Sequence, residues 1–185
     1  MHPSNDVIMI TQEAQERLRG WFAGRLPEEW RTTAPQITAD REEVTVVLAL
    51  PEVDVADDAS PAEKAEARAG RAKAFRESTR DRRIEIASEA EHRYGRKVSW
   101  GVVVGDGEDA HRELFTHIAA PVMTRLRQPE RRVLDTLVDA GVARSRSDAL
   151  GWCVRLVGQH EGDWLDELRS AMSTVADVRS KGPAA

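Results

Sequence analysis

The sequence predicts an α+β protein. Its N-terminal domain has the order helix, hairpin, helix, hairpin (αββαββ-like), and a short strand, two helices and a terminal helix follow. Three observations predict this class: stretches of alternating apolar residues typical of strands, apolar stripes at helical spacing between them, and Pro and Gly at the boundaries. We expect residues 1–119 to form the α+β domain, 120–160 the strand and two helices, and 161–185 the terminal helix and tail.

The composition indicates a highly charged globular protein. Of the 185 residues, 32% are charged and only 5% are aromatic. No apolar run approaches the roughly 18 residues that a bilayer span requires, so we expect no contact with a membrane. The N-terminus lacks the basic flank and apolar core of a secretory signal, which predicts a cytoplasmic location. The single cysteine, Cys153, excludes an internal disulfide framework and a cysteine-based zinc cluster.

The N-terminal elements follow one another in a regular order. An apolar stripe predicts a helix over residues 12–25, and "QITADREEVTVVLAL" predicts a hairpin whose second strand buries alternate residues from Val44 to Leu50. A long, mostly polar helix is predicted from Pro61 to about Tyr94. A second hairpin then follows, with "VSWGVVV" as its first strand, "GDGE" as the turn and residues 114–119 as its second strand.

The strand after Pro121 has two distinct faces. Its residues alternate, so that Val122, Thr124 and Leu126 point to one side and Met123, Arg125 and Arg127 to the other. The next residues predict a helix over about 130–140 that Gly141 ends. A second helix begins after Ser145 or Ser147, either of which can cap it.

This second helix, "SDALGWCVRLV", is apolar nearly all round. A helix of that kind must be buried on all sides, which one strand and one helix cannot achieve. A second copy of the chain solves the problem, because a two-fold dimer pairs the single strands into a ribbon and covers the second helices. The side chains expected in this dimer core are Val122, Thr124, Leu126, Leu134, Leu137, Val138, Leu150, Trp152, Val154 and Val157.

The segments "VMTRL", "LDTLVDAG" and "SRSDAL…CVR" resemble the ribbon-helix-helix (CopG/Arc-type) DNA-binding superfamily, over about residues 121–160. Thr124 departs from the family's pattern, which usually has a larger aliphatic residue there. The resemblance implies a homodimer that inserts a two-stranded ribbon into the major groove of double-stranded DNA.

By this resemblance, Met123, Arg125 and Arg127 would face the bases, and arginine can bind guanine O6 and N7 together. Ser145, Arg146 and Ser147, at the start of the second helix, would bind a phosphate. The expected function is therefore a dimeric, sequence-specific transcriptional regulator that is associated with the nucleoid. The N-terminal domain would then bind a ligand or a protein partner, or add dimer contacts.

The distribution of charged residues agrees with a local DNA-binding surface but is also compatible with other functions. The chain has a formal net charge of −5, whereas residues 121–155 carry seven arginines against four acids. The alternatives are a protein-interaction or oligomerisation module, an RNA-associated factor, and an autoregulatory antitoxin. A secondary basic patch on the long helix could contact phosphates, although a solvated face paired with acids also explains it. This patch consists of Arg71, Lys73, Arg76, Arg80 and Arg83.

Signals for other chemistry are missing from the sequence. It contains no phosphate-binding loop, no dinucleotide-binding glycine motif and no nucleophile elbow, so we expect no enzymatic activity and no cofactor. The five histidines are scattered, and no metal site is expected. The terminal helix has an apolar stripe that includes Trp164, Leu168 and Met172.

Overall fold

The mixed α+β class is confirmed by the computed structural model, which describes residues 12–30, 32–116 and 118–181. The chain divides into an N-terminal unit, Met1–Ala120, and a C-terminal unit, Pro121–Ala185. Within the described residues, no helix is both long enough and apolar enough to cross a membrane.

The N-terminal unit is built on one four-stranded sheet in the order β1-β2-β3-β4. The outer pairs, β1 with β2 and β3 with β4, are antiparallel, and the central pair is parallel with Val44 opposite Val98. The strands are β1 (Gln36–Ala39), β2 (Glu43–Leu50), β3 (Lys97–Val104) and β4 (His111–Leu114). The helices of this unit are α1 (Gln12–Arg25), a 3-10 turn (Glu28–Trp30), α2 (Pro61–Ser78) and α3 (Arg80–Tyr94).

The hydrophobic core lies on one face of this sheet. The buried alternation predicted for β2, from Val44 to Leu50, is confirmed, and on β3 the residues from Val98 to Val104 continue it. Phe22 of α1 packs edge-to-face on Trp100 at 6.2 Å between ring centroids. Because side chains of a strand alternate with a period of two, every second residue lies on the same face. This periodicity explains why the buried face of β2 could be predicted from the sequence.

Gly101 is required on the opposite face of β3. A Cβ atom at this position would lie 2.6 Å from a methyl group of Leu114 and 2.9 Å from the backbone oxygen of Glu113. The methyl group can rotate away, but the backbone oxygen cannot move without separating β3 from β4. A glycine here therefore lets the two strands approach each other closely.

The prediction of a single helix from Pro61 to about Tyr94 is wrong, because the helix is interrupted at Thr79 and divides into α2 and α3. Arg83 reaches back from α3 and donates hydrogen bonds to Thr79 Oγ1 at 3.0 Å and to the Arg76 carbonyl at 2.7 Å. Its guanidinium thus satisfies a carbonyl at the end of α2. Charged spacing alone gave no sign that this arginine would turn inward.

The last strand also begins earlier than predicted, at His111, and the predicted range 114–119 includes residue 117, which lies outside the described residues. The reason is the preceding loop. Gly105, with φ of +83°, packs against the ion pair between Arg68 and Glu52, and Arg68 also donates a hydrogen bond to the Asp109 carbonyl at 2.9 Å. These contacts turn the chain back early, so pairing with β3 starts at His111.

The C-terminal unit consists of an extended segment and three helices. The helices are α4 (Gln128–Asp139), α5 (Arg146–His160) and α6 (Gly162–Lys181). Pro129 lies in the first turn of α4, where a missing N–H costs nothing, and Gly141 follows its end with φ of +74°. Both boundary signals match the prediction.

Candidate nucleic-acid interface

The segment from Pro121 to Arg127, here called the extended segment, directly precedes α4 in the sequence. No strand pairs with it among the described residues, so the strand predicted for Val122–Arg127 is not formed in the single chain. The physical reason is that strand geometry requires a neighbour to complete its hydrogen bonds. Val122 is 85% exposed and Met123 is 96% exposed.

The three side chains predicted to face DNA bases are all exposed: Met123, Arg125 and Arg127. Neither arginine forms an ion pair with any residue that the structure describes, unlike Arg146. Two positive charges without an ion-pair partner among the described residues therefore lie two and four residues after an exposed methionine.

One end of the extended segment is held by α4. Nη1 of Arg131 donates a hydrogen bond to the backbone oxygen of Leu126 at 2.7 Å. The side chain of Leu126 packs against the core of the C-terminal unit, which centres on Leu134. The sequence indicated Leu126 as an inward residue but gave no sign of this role for Arg131.

The predicted dimer-core residues differ in their burial within one chain. Five of them already pack within one chain, around the buried Leu134, Ala143 and Ala149: Leu126, Leu134, Leu137, Val138 and Leu150. Four others are exposed in the single chain: Val122, Thr124, Val154 and Val157. Trp152 is half-buried. One chain therefore covers only part of the apolar surface that the sequence assigns to a core.

The start of α5 is capped as predicted for Ser145. Its Oγ accepts a hydrogen bond from the backbone N–H of Asp148 at 3.2 Å, and Asp148 Oδ2 accepts one from the backbone N–H of Arg144 at 3.0 Å. The Arg144 hydrogen bond holds the pKa of the Asp148 carboxyl below its ordinary value. In the described part of the chain, the N–H groups of Arg146 and Ser147 have no such acceptor.

Arg146 is fixed by a carboxylate on α4. Its Nε and Nη2 donate to the two carboxylate oxygens of Asp135 at 2.6 and 2.8 Å. This bidentate pair lowers the pKa of Asp135, with a smaller contribution from the charge of Arg131. The pair joins α4 to the start of α5 across 11 positions of sequence, a separation at which no local pattern predicts contact.

The secondary basic patch is corrected by the structure. Arg71, Lys73, Arg76 and Arg80 are exposed, but Arg83 is buried, with its guanidinium 4.9 Å from the centre of the Phe115 ring. Burial lowers the pKa of Arg83, and the charges of Arg76 and Arg80 lower it further. Arg83 stabilises the junction of α2 and α3, so it is removed from the solvent-facing patch.

Within the described ranges, no group of three His, Cys, Asp or Glu side chains lies in an arrangement that could hold a metal ion.

The fold defines a class of α+β protein whose helical C-terminal unit is preceded by a basic extended segment. The chain belongs to the Rv1265-like family, because the family model described as "Rv1265-like protein, N-terminal domain" matches residues 16–110. The model described as "Mb1296 C-terminal domain" matches residues 127–179, which include α4, α5 and most of α6. Residues 121–126 of the extended segment lie between the two matched ranges.

The chain is similar to the uncharacterized proteins Mb1296 of Mycobacterium bovis and MT1303 and Rv1265 of Mycobacterium tuberculosis. Each is 62% identical over 164 residues, which cover 88% of this chain and 69% of the relative. No solved structure matches the chain.

Proposed function

We propose that the chain is a dimeric, sequence-specific DNA-binding transcriptional regulator. Two copies pair their residues 122–127 into a β-ribbon, and this ribbon enters the major groove. The observation that carries the proposal is the extended segment itself: it is exposed, unpaired among the described residues, and fixed at one end to a helix pair by Arg131.

Exposed apolar side chains of the C-terminal unit support a second copy. Val122 of the extended segment and Val154 and Val157 of α5 are exposed in one chain although each is a large apolar side chain. Apolar side chains that join into a larger exposed surface usually mark an interaction site. A two-fold dimer would cover them and would complete the backbone hydrogen bonds of the ribbon at the same time.

The positive charges of the extended segment favour contact with base edges of DNA, and the start of α5 favours contact with a phosphate. Arg125 and Arg127 have no carboxylate partner in the described residues, so no ion pair must break before they reach guanine. At the start of α5, the free N–H groups of Arg146 and Ser147 suit a phosphate oxygen, whereas Asp148 would repel one. The phosphate contact would therefore be restricted to the first two residues of α5, ahead of Asp148. Binding of this kind would associate the protein with the nucleoid.

The first experiment measures binding to a pool of genomic DNA fragments, from which the bound sites are selected and sequenced. The double variant Arg125→Ala with Arg127→Ala is compared with the wild type on a selected site at one salt concentration. Since a bidentate arginine contact contributes about 1–3 kcal/mol, we expect the double variant to bind at least about 30-fold more weakly.

The matched control removes the same charge elsewhere. Arg17→Ala with Arg19→Ala also deletes two positive charges, but from α1. It should bind the selected site like the wild type. If both double variants bind equally well, the extended segment does not read DNA. If the wild type binds single-stranded RNA and no duplex DNA, the protein is an RNA-associated factor instead.

A further inference from the structure

Helix α6 follows α5 after a break at Glu161. The backbone N–H of Glu161 donates to Val157 O at 2.8 Å, which is the last helical bond of α5, and the N–H of Leu165 donates to Glu161 O at 3.0 Å, which is the first of α6. Glu161, with φ of −114° and ψ of 27°, departs from helical angles. The two helices are therefore separate elements, as α2 and α3 are at Thr79.

One side of α6 carries a continuous apolar surface, here called the α6 stripe. Its large side chains are between 41% and 64% exposed: Trp164, Leu168, Met172, Val175 and Val178. The other side carries polar residues such as Asp166, Arg169 and Ser170. The protein therefore exposes a long amphipathic helix whose apolar face has no cover in the described part of the C-terminal unit.

The spacing within the α6 stripe indicates what covers it. Trp164, Ala171 and Val178 recur every seven residues, and Leu168 and Val175 form a second series with the same repeat. Two interleaved seven-residue series are the a and d positions of a coiled coil. A period of 3.5 residues keeps the α6 stripe in contact with one other helix along its whole length. Packing on a flat surface such as a sheet would instead require a wider apolar face on α6.

The exposed area is sufficient for a pair of such helices. With five large side chains about half exposed, the α6 stripe offers roughly 500 Å² per copy, or about 1,000 Å² for a symmetric pair, which meets the threshold of about 1,000 Å² for a biological interface. The sizes of the facing side chains are also complementary in an antiparallel pair of α6 helices centred on Ala171. There the bulky Trp164 of one copy lies opposite the smaller Val178 of the other, and the two alanines permit close approach.

We propose that α6 pairs with α6 of a second copy in an antiparallel helix pair, which forms an interface between copies distinct from the ribbon. The pair is isologous, because the same stripe is used by both copies. It depends neither on Arg125 and Arg127 nor on DNA, so it can stand or fall independently of the proposed function. Where both interfaces operate with different neighbours, dimers join into larger assemblies.

Site-directed disulfide formation tests this pairing in the full chain. In a Cys153→Ala background, Ala171→Cys should form a disulfide-linked dimer under mild oxidation at micromolar concentration and without DNA. Ser170→Cys, one residue away but on the polar side, should remain largely uncrosslinked. The same result is expected when Arg125→Ala and Arg127→Ala are added, which separates this interface from DNA reading.

A second measurement uses sedimentation velocity. Leu168→Gln with Val175→Gln should weaken the self-association through α6 at least tenfold, which lowers the average mass in sedimentation towards that of the ribbon dimer, and abolish the Ala171→Cys crosslink. Arg169→Gln with Ser170→Gln, which changes two adjacent polar positions, should leave self-association at the wild-type level. Glutamine is a good helix former, so far-UV circular dichroism should show α6 retained in both. Equal crosslinking at 170 and 171, no crosslinking at 171, or an unchanged sedimentation profile for the stripe variant would each overturn the proposal.

Discussion

Arg131 provides a test of how the extended segment is positioned. We predict that Arg131→Ala weakens DNA binding although Arg131 contacts no DNA itself. Its Nη1 donates to Leu126 O at 2.7 Å, and this bond holds the end of the extended segment on α4. An exposed hydrogen bond of this kind contributes about 1 kcal/mol, which corresponds to roughly a fivefold loss of affinity when the segment must be ordered on binding.

The assay is fluorescence anisotropy on a selected site at several salt concentrations. A positioning residue should lower affinity by about the same factor at every salt concentration, because no counterion release is lost. Removing a phosphate contact instead reduces the slope of log affinity against log salt by about one. Arg132→Ala is the matched control, because Arg132 is an adjacent exposed arginine of α4. It should bind like the wild type.

Two results are incompatible with a positioning role for Arg131. If Arg131→Ala binds as tightly as the wild type, the contact with Leu126 does not organise the extended segment for binding. If it binds more weakly with a reduced salt slope, Arg131 is a phosphate contact and not a positioning residue.

Three further predictions concern stability. Gly101→Ala should lower the free energy of unfolding, measured in urea, by about 1–3 kcal/mol because the added methyl group overpacks β3 against β4. The control Gly70→Ala, in an open position of α2, should raise it by about 0.5–1 kcal/mol. Equal effects of the two substitutions would contradict the close approach of β3 and β4. Leu134→Ala should cost the C-terminal unit about 2–5 kcal/mol, and the neighbouring exposed Val133→Ala less than about 1 kcal/mol, also in urea. Asp148 has a lowered pKa when folded, so its contribution is present above about pH 4 and is lost as the pH falls further. Hydrogen exchange at the start of α5 should therefore separate wild type from Asp148→Asn at neutral pH, and the difference should shrink as the pH falls below about 4.

The sequence predicted those features that follow from local periodicity and capping. Alternation identified the buried face of β2, and Pro129, Gly141 and Ser145 marked the ends of α4 and the start of α5. Each of these signals acts within one turn or one strand, so neighbouring residues alone determine it.

The remaining features depend on contacts between residues distant in sequence. The pair of Asp135 and Arg146 spans a turn between helices, and the hydrogen bond from Arg131 ends on a backbone oxygen that any residue could provide. Arg83 looked like one member of a charged run, but its position beside Phe115 buries it. Residue type does not distinguish such an arginine from a solvated one, because the guanidinium can accept either environment when its hydrogen bonds are satisfied.

Modified DNA shows whether the extended segment reads base edges in the major groove, as we propose. Binding of the wild type and of the variant Arg125→Ala with Arg127→Ala is measured on a selected site and on the same duplex with 7-deazaguanine, which lacks the N7 acceptor in the major groove. We expect the modified duplex to weaken binding of the wild type and to leave the residual binding of the variant unchanged. Equal affinity of the wild type for the two duplexes would mean that the extended segment does not contact guanine N7.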